Sequence, residues 1–331
     1  MQLFSVAPME DVNQNSKTPA GEAQSKTTGL AYRWLRAVGF FRGFLLVSLI
    51  PVTAGSVAAT HGSGRPLDWG LMFGALFGAW CYHAGANLLN DYYDHLSGAD
   101  DINEVRTPFS GGTRVIQEGL LPARSLRNAA WMAYGLGSIV IWILASRIGP
   151  GIYLLAAVGV VSGISYSLRP VWLAYRGLGE IVLGLNFGPI LTAYGAYAQV
   201  GHVPISVLWI GTALGLWSAA IITVNEIPDF VADKAAGKLN FVARHGRSAG
   251  IRLWATLLFV AVMVIVVGAG AGVIGRSGFF AVAFLPIIYL RSRAPESWTQ
   301  DLDRVVVACR FTIIGHAVLW ILLLLMFITA S

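Results

Sequence analysis

Read from its N-terminus, the chain alternates long apolar stretches with short polar connections. Nine such stretches stand out, at 39–60, 70–93, 126–147, 150–168, 177–199, 203–227, 250–273, 277–291 and 309–329. A helix needs about 20 apolar residues to cross the hydrocarbon of a bilayer, and most of these stretches come close to that length. The connections are mostly too short to fold alone. The pattern predicts an all-α, polytopic membrane protein in which residues 31–331 form one domain of nine transmembrane helices. Residues 1–30 are polar, rich in Ser, Thr, Gln and Ala, and lack an apolar core; they read as a disordered cytosolic tail rather than a signal peptide.

Composition supports the class and charge adds a direction. The chain is 56% hydrophobic and 12% charged, against about 25% charged residues in soluble domains. Its net charge of +6 does not mark a nucleic-acid binder. All but three of the 23 Lys and Arg residues fall in the N-terminal region, in the loops after the second, fourth, sixth and eighth stretches, or at the stretch ends adjoining them; the exceptions are Arg65, Arg147 and Arg276. That asymmetry is the positive-inside pattern, predicting a cytosolic N-terminus and a C-terminus outside. The two cysteines, Cys81 and Cys309, lie in or beside apolar stretches and read as packing residues, with no disulfide framework.

The acids gather where they are costly. "NDYYDHLSGADD" (90–101) closes the second stretch with Asp91, Asp94, Asp100 and Asp101, and "VNEIPDFVADKAAGK" (224–238) closes the sixth. A carboxylate at the bilayer centre costs about 2.5–3.5 kcal/mol on the insertion scale. The two segments share a pattern, Asn90-x3-Asp94 and Asn225-x3-Asp229-x3-Asp233, at equivalent ends of helices four stretches apart. This suggests two related helical groups around a central cavity. At about 100° per residue, Asn225, Asp229 and Asp233 share a helix face, as do His83, Asn87, Asn90 and Asp94. Gly98 is expected to end the first helix and return Asp100 to the same place. Single helix-end carboxylates commonly meet only headgroup water, and Asp91, Asp101 and Glu104 read that way. Two matched clusters would repel each other without a cation. Oxygen-only ligands suit Mg²⁺, which takes one or two carboxylates together with substrate phosphates; there is no zinc-type Cys/His grouping and no Walker lysine motif. The expected ligand is a phosphate or diphosphate at the cytosolic rim whose remainder is apolar enough to lie among membrane lipid.

These segments resemble the UbiA superfamily of intramembrane prenyltransferases. "NDYYDHLSGAD" and "NEIPDFVADKAAGK" are similar to its two acidic motifs, in the right order and on the right helices. "FRGFLLVSLIPVTAG", "RTPFSGG" and "SYSLRPVWLAYRGLGE" extend the likeness over roughly residues 36 to 329. The six-residue spacing from Asp94 to Asp100 looks most like the 1,4-dihydroxy-2-naphthoate prenyltransferases of menaquinone synthesis, whereas "DINEVRTPFSGG" is similar to chlorophyll-type members. Where the first-stretch pattern commonly reads Arg-Pro, this chain has Arg42-Gly43.

The resemblance implies Mg²⁺ held by Asp94, Asp100, Asp229 and Asp233 with Asn90 and Asn225, a prenyl diphosphate donor and an aromatic acceptor. Arg106, Arg114, Lys234 and Lys238 are candidates for neutralising the diphosphate, and Arg42 for binding substrate. His83, Asn87 and Tyr166 are candidates for contacting the acceptor or shielding an allylic cation. The loop 95–125, with its glycine pair, could close as a lid. The location implied is a bacterial inner membrane, with the active site at the cytosolic face. Hydroxybenzoate, chlorophyll/tocopherol-type and archaeal lipid acceptors remain alternatives within the family. Outside it stand a secondary transporter and a CDP-alcohol phosphotransferase, whose extended Asp-Gly-x2-Ala-Arg pattern is absent.

Overall fold

The structure is a computed structural model that describes residues 29–40, 44–105, 107–292 and 296–328. It is all-helical, with no strand among the described residues. A short helix α1 (Leu30–Ala37) precedes α2 (Phe44–Gly62) and α3 (Trp69–Ser97). One turn, α4 (Ala99–Ile102), leads into the loop before α5 (Ala123–Ile148) and α6 (Gly151–Ser167). Next come α7 (Gly179–Val200), α8 (Ile205–Ala235), the short α9 (Phe241–His245) and α10 (Arg247–Gly270). A 3-10 run (Arg276–Phe284) continues into α11 (Leu285–Ser292), followed by α12 (Glu296–Gln300) and α13 (Leu302–Ile328).

Each predicted apolar stretch lies in a helix or helical run where it is described. Five helices among the described residues are long and apolar enough to cross a membrane: α5, α7, α8, α10 and α13 over Leu302–Leu325. Three apolar helical segments are shorter, Leu46–Gly62, Gly151–Ser167 and Arg276–Leu290. The tail read as residues 1–30 lies outside the described residues except at its end, where Leu30 already begins α1.

Local chemistry sets the helix ends that matter. The Asp68 carboxylate caps α3 by accepting from the Leu71 amide at 2.9 Å, satisfying one of the first-turn donors. Gly98 ends α3 with φ +79°, as its position beside the acidic cluster predicts, and the chain restarts as α4. A β-carbon would disfavour that left-handed conformation.

Helix α8 is the hub. Its buried face runs from Val207 to Asp233 and packs on α2, α7, α10 and α13. Glycines let backbones approach closely in a bundle, and here Gly188 of α7 meets the backbone at Gly211 and Gly215 of α8. Thr312 of α13 cross-links the bundle: its carbonyl accepts from Trp217 Nε1 at 2.7 Å and its hydroxyl from Trp254 Nε1 at 2.9 Å. A second apolar cluster joins α3, α5, α6 and α7. Cys81 and Cys309 are buried free thiols, in the packing roles expected of them.

Candidate active site

A cavity of about 210 Å³ opens between α2, α3, α5, α6, α7 and α8. Its walls are mostly apolar, with the stripe His83, Asn87 and Asn90 of α3 running along one side. Asn225 of α8 and Tyr166 of α6 stand on other walls. The matched asparagines of the two acidic motifs therefore line one cavity. His83 Nδ1 lies 3.0 Å from Ser48 Oγ, and its ring packs on Phe187 at a centroid distance of 4.8 Å. Phe187 belongs to an irregular turn, Asn186–Ile190, where α7 kinks at Gly188 and Pro189. Such π-type turns often accompany functional sites. This one presents Asn186 to the cavity, its Oδ1 accepting from Ser162 Oγ at 2.9 Å.

Beyond the asparagines the carboxylates are held by donors from several segments. Asp94 Oδ2 accepts from Lys238 Nζ at 2.8 Å and from Asn90 Nδ2 at 3.3 Å, while Oδ1 accepts from the Tyr175 hydroxyl at 2.8 Å. Tyr175 stacks on Trp172 at 3.8 Å and lies 2.5 Å from Ser97 Oγ. Asp229 accepts from Asn103 Nδ2 at 2.8 Å and the Gly111 amide at 3.0 Å. Asp233 accepts from Asn240 Nδ2 at 2.7 Å, and Asn240 also caps α9 through the Ala243 amide. Buried Glu180 accepts from the Phe241 amide at 2.7 Å, anchoring the segment that delivers Lys238 and Asn240.

Asp100 is buried against Gly112, whose backbone has φ +64°. A β-carbon there would come within 2.7 Å of both carboxylate oxygens, so glycine is required for space as well as conformation. Burial, then the charges of Asp94 and Asp91, push the Asp100 carboxyl up to about 8. Burial works against the Lys238 ammonium, but Asp94 and Asp233 more than offset it and hold it well above the ordinary lysine value. Among the described residues, Asp91, Asp94, Asp100, Asp229 and Asp233 gather around the Lys238 ammonium. The candidate metal-binding atoms in the site are oxygens, and the buried Asn225 Oδ1 has no hydrogen-bond partner among the described residues. Among the described residues no three acidic, His or Cys side chains close into a preformed metal-binding group; Lys238, Tyr175, Asn103 and Asn240 hold the acids instead.

Several expectations change. Asp91 does not meet headgroup water: it is buried and accepts from the Thr113 hydroxyl. Asp101 and Glu104 are exposed, as expected for solvated acids. Arg114, with φ +59°, donates from Nη1 to the carbonyls of Asp100 and Asn103 at 3.0 and 3.1 Å, so it shapes the loop. Lys234 is exposed on α8 with its ammonium over the Phe230 ring at 5.6 Å. Arg42 and Arg106 lie outside the described residues. The glycine pair Gly111–Gly112 joins the two motifs, one residue to Asp229 and the other beside Asp100. Tyr175, Asn103, Asn240, Glu180 and Asn186 were not singled out from the sequence. Tyr175 and Asn103 lie in the quoted segments "SYSLRPVWLAYRGLGE" and "DINEVRTPFSGG", which was the one available signal.

Comparison with known proteins identifies the family. The model of the UbiA prenyltransferase family matches residues 48–314, which include both acidic motifs. Over 218 residues the chain is 26% identical to a 1,4-dihydroxy-2-naphthoate octaprenyltransferase from Bacillus subtilis, covering 66% of this chain and 68% of that protein. It is 28% identical over 220 residues to the Mycobacterium tuberculosis protein of the same name, covering 65% and 70%. The human UbiA prenyltransferase domain-containing protein 1 is 27% identical over 219 residues, covering 66% and 62%. A UbiA homolog from Archaeoglobus fulgidus, solved with DMAPP and Mg²⁺, has a similar fold at TM-score 0.60 and 15% identity, over 87% of this chain and 98% of that one. The all-helical bundle, its spanning helices and a family match across most of the chain lead to one conclusion: this chain belongs to the UbiA prenyltransferase family and is an integral membrane prenyltransferase.

Proposed function

We propose that the enzyme transfers an isoprenyl chain from a prenyl diphosphate to an aromatic acceptor within the membrane, the acceptor being 1,4-dihydroxy-2-naphthoate. One observation carries this reading: two Asn/Asp helix ends far apart in sequence are cross-connected at the polar end of a single, mostly apolar cavity. A diphosphate fits the polar end and an isoprenoid fits the walls. The names of the bacterial relatives and the six-residue spacing from Asp94 to Asp100 support the acceptor.

The donor set fits a hard divalent cation: clustered carboxylates and a buried amide oxygen that has no hydrogen-bond partner among the described residues. Asp94, Asp100, Asp229 and Asp233, with Asn90 and Asn225, would hold Mg²⁺, as the Mg²⁺-bound neighbour supports. When bound, the metal supplies Lewis-acid neutralisation of the departing diphosphate. The chain's own residues do the rest. Lys238 brings a positive charge to the rim. The apolar walls exclude water from the allylic carbon as its C–O bond breaks and the electron pair leaves on the diphosphate. His83, Asn87, Asn186 and Tyr166 orient the aromatic ring, whose carbon forms the new C–C bond and, for the naphthoate, releases its carboxylate as CO₂. Burial of such a reaction also keeps the cation from hydrolysis.

In this reading residues 31–331 form a nine-span domain with a preceding cytosolic tail, in the cell membrane of a bacterium. The N-terminus and the active site face the cytosol and the C-terminus faces out, following the basic-residue asymmetry. The test is incubation of purified protein with Mg²⁺, a labelled prenyl diphosphate and a panel of aromatic acceptors. The naphthoate is expected to be prenylated with loss of its carboxylate. Turnover of hydroxybenzoate or a chlorophyllide alone would move the enzyme to another branch.

A further inference from the structure

Asp229 is half-buried and sits among other acids, so nothing in its helix alone would keep its carboxylate turned toward them. Two donors from the opposite motif's loop hold it: Asn103 Nδ2 on Oδ1 at 2.8 Å and the Gly111 amide on Oδ2 at 3.0 Å. Asn103 is itself buried, and its own Oδ1 accepts from the Val105 amide at 3.0 Å, which fixes the direction of its NH₂ group. Arg114 clamps the same loop through the carbonyls of Asp100 and Asn103. At the other end of the loop Thr113 donates to Asp91, and Arg36 binds Glu118 through paired contacts of 2.6 and 2.7 Å. A carboxylate has about four lone-pair directions, so the bonds from Asn103 and Gly111 do not by themselves use up its acceptor capacity.

We infer that Asn103 is a positioning residue for Asp229, and that Asn103 with the Gly111 amide presets the second motif's carboxylate for divalent metal from the first motif's side. Partners that orient a metal-binding side chain typically change affinity 10–100-fold when removed. The inference rests on the metal-dependent reading above, in which Asp229 is a ligand.

The experiment measures Mn²⁺ binding to purified full-length protein by electron paramagnetic resonance, beside thermal unfolding without metal. Asn103→Ala is expected to weaken Mn²⁺ binding 10–100-fold. Asn103→Ser separates positioning from loop shape. Its hydroxyl can still take the Val105 amide in a Ser turn but is too short to reach Asp229. It should therefore unfold near the wild-type temperature and yet bind Mn²⁺ as weakly as the alanine variant. Wild-type affinity in a folded Asn103→Ser protein would overturn the inference and leave the metal reading intact. Failure of the wild-type protein to bind Mn²⁺ at all would overturn both.

Discussion

Lys238 places its ammonium 2.8 Å from Asp94 Oδ2 across 144 residues of chain. The pair joins the loop after α8 to the end of α3. It gives a buried carboxylate of the first motif a counter-charge supplied by the segment that follows the second motif. Tyr175 donates to the other oxygen of the same carboxylate, so three separate segments meet on one side chain.

Removing the ammonium should therefore do two things. Lys238→Met leaves Asp94 with its negative charge and one fewer donor, which lowers the unfolding temperature of the metal-free protein; breaking a buried pair costs at most about 3–5 kcal/mol. Added Mg²⁺ should restore much of that stability, and prenyl transfer should still fall at least tenfold for lack of the rim charge. Unfolding curves with and without Mg²⁺, read beside turnover, check both parts. An unfolding temperature insensitive to the substitution would mean the pair contributes nothing.

The two motifs should behave as one unit. Asp94→Asn or Asp229→Asn alone is expected to nearly abolish turnover, and the double variant to cost little more, the non-additivity of groups that act together. Turnover at saturating prenyl diphosphate across a Mg²⁺ titration measures it. Full activity in a folded Asp229→Asn protein would remove these acids from the chemistry.

Asp91 should matter through the loop rather than through metal. Asp91→Asn retains an acceptor for the Thr113 hydroxyl and should be mild. Asp91→Ala strands a buried hydroxyl and should lose about 1–3 kcal/mol of stability. Chemical denaturation of both variants, with Thr113→Val as the partner in a double-mutant cycle, reads the coupling.

Metal affinity should depend on pH through Asp100. Its carboxyl is pushed from the usual 3.8 up to about 8 by burial and by the neighbouring acids. Below about 8 it carries a proton in the metal-free protein, which a cation must displace. Mn²⁺ affinity should therefore rise with pH and level off above about 8. The same raised value means that the folded state binds the proton more tightly than the unfolded chain, so metal-free stability should fall as pH rises from about 4 to about 8. Asp100→Asn should reduce the pH dependence of both.

Orientation has its own check. Cysteines at the exposed positions Glu104 and Lys234 should label from the cytosol, and one at Ser63 from outside. Labelling of positions 104 and 234 from opposite faces is incompatible with the contact between Asn103 and Asp229 of α8.

What the amino-acid order determined by itself is the part governed by local periodicity and by solvent. Apolar stretches of near-membrane length become helices wherever described, because a buried backbone must satisfy its own hydrogen bonds. The recurrence Asn90–Asp94 and Asn225–Asp229–Asp233 already marked the ends of α3 and α8, and Gly98 its turn, because helix faces and left-handed stops can be read along one segment. Which donor meets which acid could not be read that way. Lys238 could have reached a diphosphate, lipid or Asp94; only the path set by Glu180 and Asn240 brings it to Asp94. Asp91 looked like a solvated helix-end acid until Thr113 was seen to cover it. Asn103 stands in a loop, and its importance depends on the packing of α3 and α8 that puts Asp229 within reach. These are long-range pairings: each is fixed by where two helices end in space, and neither partner's local sequence carries that information.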